Sequence, residues 1–152
     1  MTVTERLAEL GITLPEVAAP VAAYAPAVRV GNQVWTSGQL PFVRGELPAT
    51  GQVGAEVSAA DAASYARTSA LNALAAIDAL VGIDNVLRVV KVVGFVSSAP
   101  DFHGQPQVIN GASEVIGEIF GDAGIHARSA VGVAELPLDS PVEVEVIAEI
   151  RS

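Results

Sequence analysis

Arg128 is the residue of this chain whose setting most suggests chemistry, because no other Lys or Arg lies between Lys91 and Arg151. It heads a run whose same-face successors, Ala130, Gly132 and Ala134, are all small. A planar guanidinium beside cleared space suits an anion, above all a carboxylate that it grips with two parallel bonds. By pattern alone, an arginine that opens a strand is more often one half of a surface ion pair than a ligand clamp. Farther on, Glu143 and Glu145 alternate with valine in Val-Glu-Val-Glu-Val, which by itself describes one solvated face of a strand.

Other reactive types are sparse. The chain has no cysteine, which removes disulfides, thiolate metal sites and a cysteine nucleophile. His103 and His126 are the two histidines; they form no HxxxH or HExxH spacing and read as solvent-facing loop residues rather than metal ligands. Ser37 sits in Thr-Ser-Gly without a neighbouring base, and no GxSxG, Walker or GxGxxG sequence occurs. No metal or cofactor is therefore expected.

Seventeen acidic residues against eight basic ones leave a formal charge of −9, with the cations scattered. Such a surface repels polyanions, which excludes nucleic acid as a partner. A mean hydropathy of +0.46 with 16% charged residues is too apolar for a small monomer and predicts burial between identical subunits. Glu5 and Arg6 fall where a signal peptide would be apolar, and no run is long enough to span a bilayer. A cytoplasmic protein with no membrane partner is the expectation.

The elements that would position Arg128 follow from the periodicity of the 152 residues, which form one expected domain. Thr2 or Thr4 caps a short helix ending at Gly11, and the proline-rich stretch from Ile12 to Pro26 reads as an extended connection, so residues 1–23 form a helix and a tether. Gly31-Asn32 joins two strands, and residues Gly45 to Gly54 form a loop. Ser58 and Asp61 resemble a capping box for a helix to about Val81, with Ala62, Ala66, Ala70, Ala73, Ile77 and Leu80 on one face. Val86 to Ser97 reads as a central strand covered on both sides, and Val108 to Phe120 as a second amphipathic helix. His126 to Ser152 then holds two alternating runs around a proline-flanked break, the pattern of an antiparallel hairpin. The predicted architecture is α+β, a mixed sheet with two helices packed on one face and the other face left for a subunit contact.

Two segments carry a resemblance. YAPAVRVGNQVWTSGQLP, from Tyr24 to Pro41, and ARSAVGVAELPLDSPVEVEVIA, from Ala127 to Ala148, resemble the signature regions of the Rid family, the reactive intermediate deaminases also called the YjgF family. The helix at Ser58, the central strand and Asp101-Phe102 fall between them in the family's order. The resemblance implies a chorismate-mutase-like fold and a homotrimer with clefts between subunits. It implies hydrolysis of enamine or imine intermediates such as 2-aminoacrylate to a 2-keto acid and ammonia. Arg128 would bind the substrate carboxylate, and Glu143 falls where the family carries a glutamate that positions water. Tyr24 would line the pocket, Ser37 and Gly38 would offer backbone or hydroxyl hydrogen bonds, and Asn110 would match a polar pocket residue. Ala130 stands where the family commonly has a pocket cysteine, and Ala22-Ala23-Tyr24-Ala25 replaces its usual Gly-Pro-Tyr-Ser. The N-terminal extension and the glycine-rich loop point to a longer branch. A non-catalytic module that binds a small carboxylate in the same cleft is the alternative.

The predicted hairpin carries a geometric consequence. With its turn near Asp139, Glu135 would oppose Glu143 and Arg128 would pair near Ile150, leaving Arg128 and Glu143 roughly 20 Å apart along the strands. One chain would then supply two half-sites to two different clefts.

Overall fold

A computed structural model describes residues 1–17 and 23–152. Part of the extended connection read from Ile12 to Pro26, including the altered residue Ala22, lies outside the described residues. Thr2 caps α1 (Val3–Leu10) with a reciprocal pair: its hydroxyl accepts from the Glu5 amide at 3.1 Å, and the Glu5 carboxylate accepts from the Thr2 amide at 2.9 Å. β1 (Ala27–Val30) and β2 (Gln33–Thr36) pair antiparallel across Gly31-Asn32, where Gly31 adopts φ +59°. α2 (Ala59–Val81) starts on Ser58, whose hydroxyl accepts from the Asp61 amide at 3.1 Å. β3 (Val86–Ser97), α3 (Gln105–Phe120), β4 (Ala127–Val133) and β5 (Val142–Ile150) complete the order predicted from periodicity.

The five strands lie in the order β1-β2-β5-β3-β4. The hairpin expected over His126 to Ser152 is absent: β5 pairs antiparallel with β2 and β3, and β4 pairs parallel with β3 on its other side. Two physical features explain the difference. A helix between two strands is the crossover that parallel neighbours require, and α3 supplies it between β3 and β4. Meanwhile Val142, Val144, Val146, Ala148 and Ile150 are all at most 1% exposed, so β5 takes an inner position where that whole row is covered. The small and partly exposed run of β4 takes the edge.

Register assigns the faces. Val34, Val89, Val92, Val96 and the buried row of β5 point toward the helices, where the alanine stripe Ala62, Ala66, Ala70 and Ala73 is fully buried. α3 lies against α2 at Gly111, where a Cβ would collide with the Ala63 backbone. It also lies on β3 at Gly94, where a Cβ would sit 2.5 Å from the Ile109 side chain. On the opposite sheet face Val28, Val30, Trp35 and Val131 remain 43–65% exposed. β3 is thus covered on one side within the chain, whereas its continuous apolar run had predicted cover on both.

Candidate functional site

Arg128 projects from β4 to the helix side of the sheet, because it is level with Val92 of β3 and, beyond that, with Val146 of β5, both buried under the helices. There its Nη1 donates to Asn110 Oδ1 at 2.8 Å and to Ser113 Oγ at 3.2 Å, both from α3. Asn110 and Ser113 are one turn apart, so a single helix face presents both. Arg128 has no carboxylate within ion-pair distance among the described residues, whose ion pairs are Arg6 with Glu9 and Arg67 with Glu118. The surface ion pair that pattern allowed for it does not form. Nε and Nη2 carry no hydrogen bond among the described residues, which leaves the rest of the guanidinium edge for an anion. Ala130, two residues on and on the same face, is partly buried against the core.

Glu143 lies on the other face. It is level with Phe95 of β3 and alternates with Val142 and Val144, which point to the helices. A Cβ on Gly38 would fall 2.7 Å from both Cδ and Oε2 of Glu143, so the carboxylate rests directly on the Gly38 backbone. Partial burial raises the Glu143 pKa, and the neighbouring Glu145 charge raises it further. No hydrogen bond or ion pair to the carboxylate offsets this among the described residues. The segment after Gly38 is clamped from below: Asn72, buried in α2, donates Nδ2 to the Leu40 and Phe42 carbonyls at 3.0 and 3.1 Å.

Ser37 precedes Gly38 and is tied to the segment that follows Tyr24. The Ser37 amide donates to the Pro26 carbonyl at 2.8 Å and its hydroxyl to the Ala25 carbonyl at 2.6 Å. Both Ser37 donors are therefore engaged within the chain, and its hydroxyl oxygen keeps its capacity to accept. Tyr24, next to Ala25, is 50% exposed.

The structure thus brings together Arg128 with Asn110 and Ala130, and Glu143 with Gly38, whose chain neighbour is Ser37; Tyr24 is linked to that segment only through Ala25. The pairing that gave 20 Å was wrong: Arg128 is level with Val146, three positions from Glu143 and two strands away, or roughly 14 Å between backbones. The two side chains leave the sheet on opposite faces, so separation rests on facing rather than on distance along a hairpin. Sequence reasoning missed Ser113 and misread His126. The latter is half-buried rather than solvent-facing, with Nε2 2.9 Å from Ser113 Oγ and Nδ1 2.6 Å from the Gly124 carbonyl. Signals existed for both: Ser113 is three residues after Asn110 on a helix, and His126 is two residues before Arg128 on an extended segment.

A family profile described as "YjgF/chorismate mutase-like, putative endoribonuclease" matches residues 4–150. The chain belongs to the YjgF family. Among its YjgF-family relatives, Protein TCP17 of Trypanosoma cruzi is 43% identical over 152 residues, covering 99% of this chain and 95% of that one. A 2-iminobutanoate/2-iminopropanoate deaminase of Dermatophagoides farinae is 35% identical over 141 residues, covering 92% and 95%. The crystal structure of Atu1372, a protein of unknown function from Agrobacterium tumefaciens, matches with a TM-score of 0.90 at 44% identity, covering 98% of this chain and 92% of that one. The α+β arrangement described above is the chorismate-mutase-like YjgF fold, with α1 ahead of the sheet and two longer helices on one of its faces.

Proposed function

We propose that this YjgF-family chain hydrolyses reactive 2-imino acids and their enamine tautomers, of the 2-aminoacrylate kind, to 2-keto acids and ammonia. The reaction takes place in clefts between subunits of a cytoplasmic homotrimer. One observation carries the reading: Arg128 is a half-buried cation with no counter-ion among the described residues of a chain of net charge −9, and it is oriented through one nitrogen while the others stay uncommitted. A small carboxylate supplies the missing charge. Relatives named as 2-iminobutanoate/2-iminopropanoate deaminases support the substrate class.

The chemistry then needs little more. The imine carbon is already electrophilic, so fixing the carboxylate and moving protons suffices. Glu143, with its raised proton affinity, takes a proton from water as the water oxygen bonds to that carbon. The imine reacts in its protonated form, so the C=N electron pair settles on nitrogen as the carbinolamine amine; protonated Glu143 returns its proton to that nitrogen, the C–N bond breaks as ammonia leaves, and the hydroxyl proton passes back to Glu143 as the carbon–oxygen double bond of the keto acid forms. Because Arg128 and Glu143 leave one chain on opposite faces, each cleft takes its arginine from one subunit and its glutamate from the next. The exposed apolar sheet face supports such an assembly. Among the described residues no helix is long and apolar enough to cross a membrane. Ribonuclease activity, part of the family description, is set aside because the acidic chain lacks the clustered cations that hold a phosphate backbone.

The test is mixed assembly. Arg128→Ala and Glu143→Gln subunits, each inactive alone, are co-expressed and assayed for keto-acid release from freshly generated 2-iminobutanoate. Random 1:1 co-assembly restores about a quarter of the clefts, since each needs one intact residue from each variant. Continued inactivity of assembled mixtures removes the split site. Wild type that fails to outpace spontaneous decay, yet gains melting temperature from benzoate when Arg128→Ala does not, makes the chain a carboxylate-binding module instead.

A further inference from the structure

Two side chains beside Arg128 have no part in the reaction proposed above. The chemistry of their partners fixes the direction of every bond. A guanidinium only donates, so Ser113 Oγ accepts from Arg128 Nη1 at 3.2 Å. A carbonyl only accepts, so His126 Nδ1 carries the proton in its 2.6 Å bond to Gly124. In the neutral ring Nε2 is then bare, and it accepts the Ser113 hydroxyl proton across 2.9 Å. A single polarised chain runs from the guanidinium through a hydroxyl and an imidazole to a backbone carbonyl. Gly124 closes the 3-10 turn Gly121–Gly124 at the end of α3, so the chain is anchored on the framework.

We propose that Ser113 and His126 are positioning residues for the carboxylate-binding guanidinium. The inference rests on the carboxylate role assigned to Arg128. Asn110 alone would leave a long side chain free to pivot about one hydrogen bond; the second bond at the same nitrogen sets the plane of the guanidinium and thereby the direction of its uncommitted edge. Ser113 can serve in this way only while its own proton is occupied by His126.

The experiment measures kcat and KM for 2-iminobutanoate, and the dissociation constant of benzoate, from pH 5.5 to 8.5. Ser113→Ala and His126→Ala raise KM and the benzoate constant about tenfold at pH 8, with kcat within about twofold of wild type. Ser113→Thr keeps the hydroxyl and restores wild-type values. His126→Gln restores them too, because its Oε1 accepts where Nε2 did. A fall in kcat at constant KM, unrescued by threonine, assigns Ser113 a merely structural role and overturns the inference. Wild-type constants in Ser113→Ala overturn it as well. Arg128→Ala is run in parallel: full activity in that variant sinks the reading of Arg128 itself, whereas its inactivity beside an unaffected Ser113→Ala sinks only the present inference. Should Ser113→Ala fail to fold, benzoate binding by His126→Ala against His126→Gln decides, and wild-type affinity in His126→Ala refutes it.

Discussion

The Arg128 group and the Glu143 group hold their charges by different means. Arg128 stands on an edge strand and is fixed by directional bonds from α3, the helix brought close by Gly94 and Gly111. Glu143 stands on an inner strand and is fixed by packing against Gly38. The difference matches the two tasks. A cation that binds a carboxylate must be aimed, and the two hydrogen bonds donated by its Nη1 aim it without neutralising it. A carboxylate that takes a proton must want one, and a hydrogen-bond donor beside it would lower its pKa where partial burial raises it.

The sharpest way to break this comparison is Arg128→Ala. On the proposed carboxylate role, removing the guanidinium lowers kcat/KM on the order of a thousandfold and abolishes benzoate binding, read by keto-acid release and calorimetry. Glu143→Gln comes next, with kcat reduced roughly a hundredfold and KM little changed. In wild type, kcat rises with pH as Glu143 ionises, and this limb lies above the ordinary carboxylate range because burial and Glu145 raise the pKa. The limb disappears in the glutamine variant. A variant that keeps kcat and loses KM instead would assign Glu143 to binding.

Gly38→Ala probes packing as the means of holding Glu143. The added methyl meets the mobile end of the glutamate, so the fold survives with a melting temperature within a few degrees of wild type. The carboxylate turns away and kcat falls about tenfold. Unchanged kcat would show that the Gly38 contact does not set the position of the base.

The smallest effect is on stability. Because the folded-state pKa of Glu143 is raised, the folded chain binds more protons than the unfolded chain between the ordinary glutamate value and the raised one. Stability contributed by this group therefore falls as pH rises through that window, and urea midpoints of Glu143→Gln lack the fall.

Much of this was legible in residue pattern. The caps at Thr2 and Ser58, the Gly31-Asn32 turn and the two amphipathic helices are local features, decided within a few residues by capping, turn chemistry and period. Arg128 was legible because it is isolated among small residues. The hairpin error came from treating two adjacent alternating runs as partners. Alternation reports a half-buried face but not which strand lies alongside, and the connecting residues 134–141 exceed the two-residue loops that commit neighbours to pair. Ser113 and His126 escaped because a serine on a helix and a histidine before a strand each have ordinary solvent-facing roles. Their significance lies in meeting across α3 and β4.

By itself, the sequence determined the elements, the family and the isolation of Arg128, because helix periods, caps and turn glycines act over short range and need no distant partner. Only the tertiary structure decided that β3 separates β4 from β5, that Arg128 and Glu143 face opposite sides of the sheet, and that a serine and a histidine back the arginine. Those outcomes depend on which strands bury which rows of side chains and on the crossover path of α3. Burial and crossover are properties of the whole packed layer, and no window along the chain contains them.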